Sequence, residues 1–242
     1  MKITIISLFP EMLSSPFEHS IIKRAIERKI ITLTFLNLRN FGIGKHKLVD
    51  DTPYGGGKGM VLRVDVLHKA IEKAKDKKLK KREEKIILLT PAGITYNQKV
   101  AKKYSNLKHL IIICGHYEGF DERVNKYIDE RISVGDFILT GGEIAALMII
   151  DSVARLVKGV IQEESFQKES FSPFLEHPHY TKPKTYDNES VPDIILSGNH
   201  GKIDDWRKEQ SLKITKNIRP DLLKTKKGLS LKAMPKTPQE LT

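Results

Sequence analysis

Three glycine-rich segments carry the residues whose types and spacing could do chemistry: Leu88–Gly93 (LLTPAG), Cys114–Gly119 (CGHYEG) and Ser133–Glu143 (SVGDFILTGGE). Each turns on glycine or proline directly after an apolar run, where a missing side chain lets backbone approach a flat or charged ligand. Any one of them alone reads as a tight turn; three at the ends of one sheet point to a shared site. A fourth segment, Thr52–Met60 (TPYGGGKGM), looks like a phosphate cradle and fails as one. Lys58 is followed by Gly59 where a Walker loop needs Ser or Thr, and Thr52 stands where its first glycine belongs. The dinucleotide fingerprint also fails, because Met60 occupies the third glycine position. Two readings stay open for it: a surface turn whose glycines supply φ > 0, or backbone brought close to a ligand that is not a nucleoside triphosphate. His177-x-His179 has no third ligand nearby, and no CxxC, HExxH or Cys/His cluster calls for zinc, so a structural or partner-facing role fits that pair better.

The elements that must position these segments follow from apolar periodicity. Ile3–Leu8, Ile31–Leu36, Ile86–Thr90, Leu110–Cys114 and Ile132–Val134 read as strands. The third is expected to stop at Pro91 and the fourth at Gly115. Ser20–Lys29, Asp65–Lys75, Asn97–Tyr104, Asp121–Tyr127 and Glu143–Val157 read as helices. Gly42–Gly59 is too punctuated for regular structure. Strand and helix alternate and the strands are continuous apolar runs, the pattern of a parallel α/β sheet covered on both faces, which binds ligands at its carboxyl ends. After Gly159 the character changes. Gln162–Lys184 is polar and proline-bearing and reads as an extended, partly mobile linker, Asp205–Ile218 returns to helical spacing, and Lys232–Thr242 reads as frayed.

The 242 residues, 39% of them hydrophobic, suffice for one large domain with a small second one. A single cysteine, Cys114, excludes an internal disulfide and fits a reducing compartment. MKITIISLFPEM is not a signal peptide, and the longest apolar run, around Ile144–Ile150, is far too short to span a bilayer, so a soluble cytoplasmic protein is expected. Forty-two basic against 30 acidic residues leave a net charge of +12, which points to a polyanionic partner, most simply a nucleic acid. The last 42 residues hold 11 Lys/Arg against 5 Asp/Glu, while the run Lys73–Lys85 (KAKDKKLKKREEK) is basic but mixed and reads as a solvated helix end and connector.

The motifs CGHYEGFDERV, SVGDFILTGGE, DSVARLVKGV, HPHYTKP, LSGNH and DDTPYGGGKGM, each weak alone but specific as six in the right order and spacing, carry a resemblance. From SLFPEM to about Leu223 the sequence resembles the bacterial tRNA (guanine-N1)-methyltransferases of the SPOUT superfamily. The resemblance implies a parallel-sheet SPOUT domain over residues 1–160, an S-adenosylmethionine-binding catalytic domain with a deep C-terminal trefoil knot. A linker at 161–184 carries the candidate general base, and a small basic helical tRNA-binding domain spans 185–242. It further implies an obligate homodimer with a shared active site, and methylation of N1 of guanosine 37 in tRNA, beside a guanosine at 36. S-adenosyl-L-methionine would lie against Leu88, Leu89, Thr90 and Pro91 of the first segment. Gly115, Tyr117, Glu118 and Gly119 would hold it from the second. Val134, Gly135, Asp136, Phe137, Ile138, Leu139, Gly141 and Gly142 would do so from the third. Magnesium (Mg2+) is implied during methyl transfer, with no ligands assigned.

Guanine N1 is protonated at neutral pH, so the reaction needs a general base for that proton and a cation for the charge that builds on O6. In the family these are a linker aspartate before Ser-Phe and the arginine of DSV-x-R. The arginine is Arg155, which an i,i+4 pairing with Asp151 would also suit. The base position departs from the pattern: Glu169 precedes Ser170-Phe171, and a second Glu-Ser-Phe at Glu164 competes for the assignment. Glu169 is preferred because FLEHPHYTKP follows it at family-like distance. Tyr54, Gly57, Lys58 and Gly59 are assigned to the target base and its phosphate. Two alternatives remain at this stage: a SPOUT methyltransferase acting on another RNA, and a non-catalytic RNA-binding protein, which the Glu-for-Asp change alone favours.

Overall fold

β-branched runs favour extended backbone because the branch stiffens χ1, and here they make the centre of a sheet. The computed structural model describes residues 1–162 and 169–224, in two units, Met1–Glu163 and Glu164–Thr242. In the first unit β1 (Lys2–Ser7) leads through two 3₁₀ turns to α1 (Ser20–Glu27) and β2 (Thr32–Asn37). The short β3 (Asp50–Asp51) and β4 (Val61–Leu62) precede α2 (Val64–Ala74). Then come β5 (Glu84–Thr95), α3 (Gln98–Ser105), β6 (His109–Ile113), β7 (Glu130–Ser133) and α4 (Glu143–Ala154). The large sheet runs β2-β1-β6-β5-β7, every pair parallel.

Alternation along the strands divides the core between two faces. Ile3, Ile5, Leu110 and Ile112 pack with α1, α3 and α4, whereas Ile6, Ile86, Ile111 and Ile113 pack with α2. Each fully buried isoleucine contributes roughly 1.5–3 kcal/mol, so the central strands β1 and β6 anchor the unit. α3 begins where Asn97 accepts the N–H groups of Lys99 and Val100, each at 3.1 Å.

Two expectations fail. β5 does not stop at Pro91: it runs to Thr95, and its pairing with β7 shifts register between Leu89 and Ile94, both of which lie opposite Ile132. Thr90–Gly93 bulges out of the ladder, which is where a strand tolerates proline. The glycine-rich stretch is also less irregular than its punctuation suggests, since Ile43 bridges Leu48 and β3 pairs with β4 to make Thr52–Met60 the loop of a hairpin. The helix over Asp121–Tyr127 is a 3₁₀ helix, Glu122–Tyr127.

In the second unit the described residues form a hairpin, β8 (Thr185–Tyr186) with β9 (Glu189–Ser190), then α5 (Asp193–Leu196), α6 (His200–Ile218) and α7 (Asp221–Lys224). The buried Thr215 accepts the N–H of Leu175 at 2.9 Å, tying α6 to the segment before the hairpin. Lys232–Thr242 lies outside the described residues.

At the far edge of the sheet Glu130 joins β7 to β5 and α3. Its carboxylate takes Lys85 at 2.8 Å, Lys103 at 2.6 Å and the Tyr104 hydroxyl at 2.5 Å. Burial by itself pushes this carboxyl up, but the three donors together bring it down to about 2. A depressed carboxyl stabilises the fold above its unfolded value, near 4.5, and loses that contribution as pH falls toward 2. Glu130→Gln is therefore expected to cost about 2 kcal/mol at pH 7, discounted for the exposed Lys103, and to flatten the fall in stability between pH 4.5 and 2. Urea unfolding across that range checks it; parallel stability–pH curves for the two proteins would contradict it.

Candidate active site

The carboxyl ends of β5, β6 and β7 meet where three backbones touch. Gly142 donates its N–H to Gly115 O at 2.8 Å. A Cβ on Gly142 would stand 2.6 Å from Gly115 N and 2.7 Å from Cys114 Cα, and one on Gly93 would stand 2.5 Å from the Ile132 backbone. Glycine is needed here for space: neither position has a left-handed φ. Tyr117 does, at φ 59°, as does Gly119 at 121°. A tyrosine held in that sparsely populated region marks a turn fixed by its surroundings.

These loops enclose a cleft of about 310 Å³. Of the residues assigned from the first segment, Leu89, Thr90 and Pro91 line it, while Leu88 points into the core on the α2 face and is buried. Gly115, Tyr117, Glu118 and Gly119 all line it. So do Val134, Gly135, Phe137, Ile138, Leu139, Gly141 and Gly142, but the exposed Asp136 does not. Sequence reasoning missed His116, Phe120, Ile132, Ser133, Thr140 and Ala145. Five of these sit inside or beside the quoted motifs, all but Ala145, and glycine spacing gave no reason to pick them.

Under the floor of the cleft lies a polar group with no counterpart in the motif reading. Glu143, the first residue of α4, is 1% exposed and accepts the Ser7 hydroxyl at 2.6 Å, and the same hydroxyl accepts the Phe9 N–H at 2.8 Å. His116 Nε2 stands 4.0 Å from its other oxygen. Burial, reinforced by the Glu143 carboxylate, pushes the Cys114 thiol well up, so the lone cysteine is not a nucleophile.

The hairpin loop Thr52–Met60 is tied to this site at one end only. Glu118 N–H donates to Met60 O at 3.0 Å, Leu62 N–H to Gly119 O at 2.9 Å, and Arg63 grips Asp51 at 2.8 Å across the hairpin base. A Cβ on Gly59 would collide with the Glu118 side chain, whereas one on Gly57 would find only Pro53 at 3.9 Å. Gly55, Gly56, Gly57 and Gly59 all have φ between 81° and 123°, Tyr54 is fully exposed and Lys58 is exposed.

Arg155 caps α4 in the first unit, its N–H donating to Asp151 O at 3.2 Å. Glu169 opens the described part of the second unit, where Ser172 N–H donates to its carbonyl at 3.2 Å and Ser170 Oγ accepts the Glu176 N–H at 3.0 Å. Phe171, at φ 70°, closes this turn on Phe174 O at 2.7 Å. The rival base, Glu164, lies outside the described residues. The rings of His177 and His179 lie 4.6 Å apart, tilted by 45°, with Glu176 2.9 Å from His179. Among the described residues no three His, Cys, Asp or Glu side chains gather as a metal site, and no helix is long and apolar enough to cross a membrane.

The fold and site define a parallel α/β protein whose strand-end loops close backbone-to-backbone around one glycine-walled cleft. The chain belongs to the family described as tRNA (guanine-1)-methyltransferase TrmD, which it matches over residues 1–225. It is 54% identical to the tRNA (guanine-N(1)-)-methyltransferase of Clostridium botulinum (strain Alaska E43), over 93% of each chain. It is 53% identical to that of Carboxydothermus hydrogenoformans (93% of this chain, 88% of the relative) and 50% to that of Dehalococcoides mccartyi (92% and 90%).

Gly142→Ala would force the second and third loops apart. We expect S-adenosylmethionine affinity, measured by calorimetry, to fall at least about tenfold, with a stability loss of about 1–3 kcal/mol; unchanged affinity would show that the contact does not shape the cleft.

Proposed function

We propose that the protein transfers a methyl group from S-adenosylmethionine to N1 of guanosine 37 of tRNA, beside a guanosine at 36. The observation that carries this is the convergence of three glycine-bearing loops on one cleft, in a chain about half identical to relatives named tRNA (guanine-N(1)-)-methyltransferase over nine-tenths of its length. The cofactor fits the cleft's construction: Gly115, Gly141 and Gly142 let the loops pack so closely that main chain lines the cleft, and Leu89, Val134 and Leu139 give apolar walls. When bound, it supplies an electrophilic methyl group. Glu169 takes the N1 proton of the target guanine, and Arg155 stabilises the negative charge that develops on O6. Tyr54, Gly57 and Lys58 receive the base and its phosphate, and the open space around Gly57 supports that use.

The remaining parts of the reading have separate supports. A C-terminal trefoil knot in the domain of residues 1–160 is supported by the tight passage of the third loop against Gly115 and of β7 against Gly93. A homodimer with a shared site is supported by the exposed apolar Phe9, Met12, Ile144 and Met148, the first three of which border a second cavity next to the cleft. The division into a catalytic domain, a base-bearing linker at 161–184 and a tRNA-binding domain at 185–242 completes it, in a cytoplasmic setting. Magnesium keeps its place in the reaction without assigned ligands.

Transfer of labelled methyl to a transcript with guanosine at 36 and 37, and not to one with adenosine at 37, is the direct test. Glu169→Gln is expected to lower turnover at least about a hundredfold and leave cofactor affinity within about twofold. Full activity in Glu169→Gln with loss in Glu164→Gln would move the base to Glu164. Label on neither transcript, with cofactor still bound, would make this a non-catalytic RNA-binding protein.

The hairpin loop gives a second test. Gly57→Ala should raise the KM for tRNA alone, whereas Gly59→Ala, which presses on Glu118 of the cleft, should raise the KM for both substrates. Equal effects of the two substitutions would separate the loop from the target base.

A further inference from the structure

The charge of the first unit is not spread over it. Residues 73–108 hold 12 Lys/Arg against 3 Asp/Glu, while the rest of Met1–Glu163 holds 16 against 16. The whole surplus of the unit therefore comes from one stretch. The described part of the second unit, residues 169–224, is balanced at 9 against 9. A positive surface for a polyanion is thus present on the first unit itself.

The fold gathers eleven of these twelve cations at one end of the sheet. They lie in the last turn of α2, the connector into β5 and its first residues, the last turn of α3 and the turn into β6, whereas Lys99 stands in the first turn of α3. Lys108 N–H and His109 N–H both donate to Glu83 O, at 2.9 and 3.1 Å, and Lys2 N–H donates to Lys108 O at 2.8 Å. These contacts hold the connector, the α3–β6 turn and the start of β1 together. The three acids face inward on this scaffold. Glu84 accepts the Asp76 N–H at 2.9 Å and lies 2.6 Å from the buried His109, Glu83 accepts the Lys80 N–H at 3.0 Å and pairs with Lys108, and Asp76 accepts the Lys78 N–H at 3.0 Å. The cations face outward. Lys77, Lys78, Lys80, Lys81 and Arg82 are exposed, and none makes an ion pair within 4.0 Å among the described residues. Lysines in the last turns of α2 and α3 are explained by the helix dipole; those of the connector are not.

We propose that this edge is a second phosphate-binding surface, and that it holds the backbone of the same tRNA whose target base enters the cleft. The claim rests on the proposed tRNA substrate. The cleft lies at the carboxyl ends of the strands and the basic edge at their amino ends, so the five residues of β6 set the separation at about 17 Å. A duplex carries a phosphate for about every 1.7 Å of axis, so an RNA stem reaching across that distance offers many charges to the edge.

The test compares two triple variants of the full chain, each losing three exposed lysines from the first unit. Lys78→Ala/Lys80→Ala/Lys81→Ala alters the edge, and Lys23→Ala/Lys69→Ala/Lys126→Ala removes the same charge elsewhere. For the edge variant, the Kd for full-length tRNA should rise about tenfold at roughly 0.15 M salt. The slope of log K against log salt should shrink by roughly 2–3, with the Kd for S-adenosylmethionine unchanged. The scattered variant should stay near the parent on all three. Equal losses in both variants, or none in either, would overturn the proposal. Because binding is read apart from turnover, absence of methyl transfer by the parent would overturn the enzymatic reading alone.

Discussion

The structure depends on main chain touching main chain. Gly142 lies against Gly115 and Cys114, and Gly93 lies against Ile132, at distances no Cβ could share. Helix α4 can begin where it does only because its N-cap fits under the second loop, and β7 can add to the sheet only because the bulge at Thr90–Gly93 lets β5 pass it. Packed backbone is not continuously deformable, so the cleft comes with its shape set by the strands, and the buried isoleucines of β1 and β6 hold those strands in register. Stability and site geometry are consequently the same set of contacts.

Rigidity at the cleft contrasts with openness at the hairpin loop. The loop is anchored where Met60 and Leu62 hydrogen-bond to the second cleft segment, yet Gly55 and Gly56 have nothing within 4 Å of where a side chain would stand. Its glycines answer to left-handed φ, whereas Gly93 and Gly142 answer to space. One residue type serves two physical needs within a single site, and substitution affects them differently: strain in one case, collision in the other.

Much of this was legible in the residues. Continuous apolar runs identified five parallel strands, and glycine following them marked all three cleft loops. Leu88 was misplaced because strand alternation sends neighbours to opposite faces: Leu89 reaches the cleft and Leu88 the α2 core. The continuation of β5 was hidden because proline reads as a stop, and only the β7 ladder on both sides of the bulge carries the strand through it. Ser7 and Glu143 were hidden for a different reason, being 136 residues apart and meeting only through the sheet. His116 stood inside a quoted motif, but its tie to Glu143 is likewise tertiary. The assigned base and cation, Glu169 and Arg155, came from resemblance alone, because no local periodicity distinguishes a general base from any other glutamate.

Electrostatics gives the sheet a second asymmetry beside its chain direction. At the carboxyl end backbone does the shaping, Glu118 lines the cleft, and a second carboxylate, Glu143, is kept beneath the floor by Ser7. At the amino end the same strands begin among lysines, and the acids there are engaged in holding the connector folded. Outside residues 73–108 the first unit is neutral, so its long-range field originates from one edge. A charged ligand approaching through water feels that field within about 8 Å at physiological salt, before any short-range contact with the cleft forms. The two ends therefore act at different distances: the basic edge on approach, through charge that salt screens, and the glycine-walled cleft on contact, through a fit that salt leaves alone.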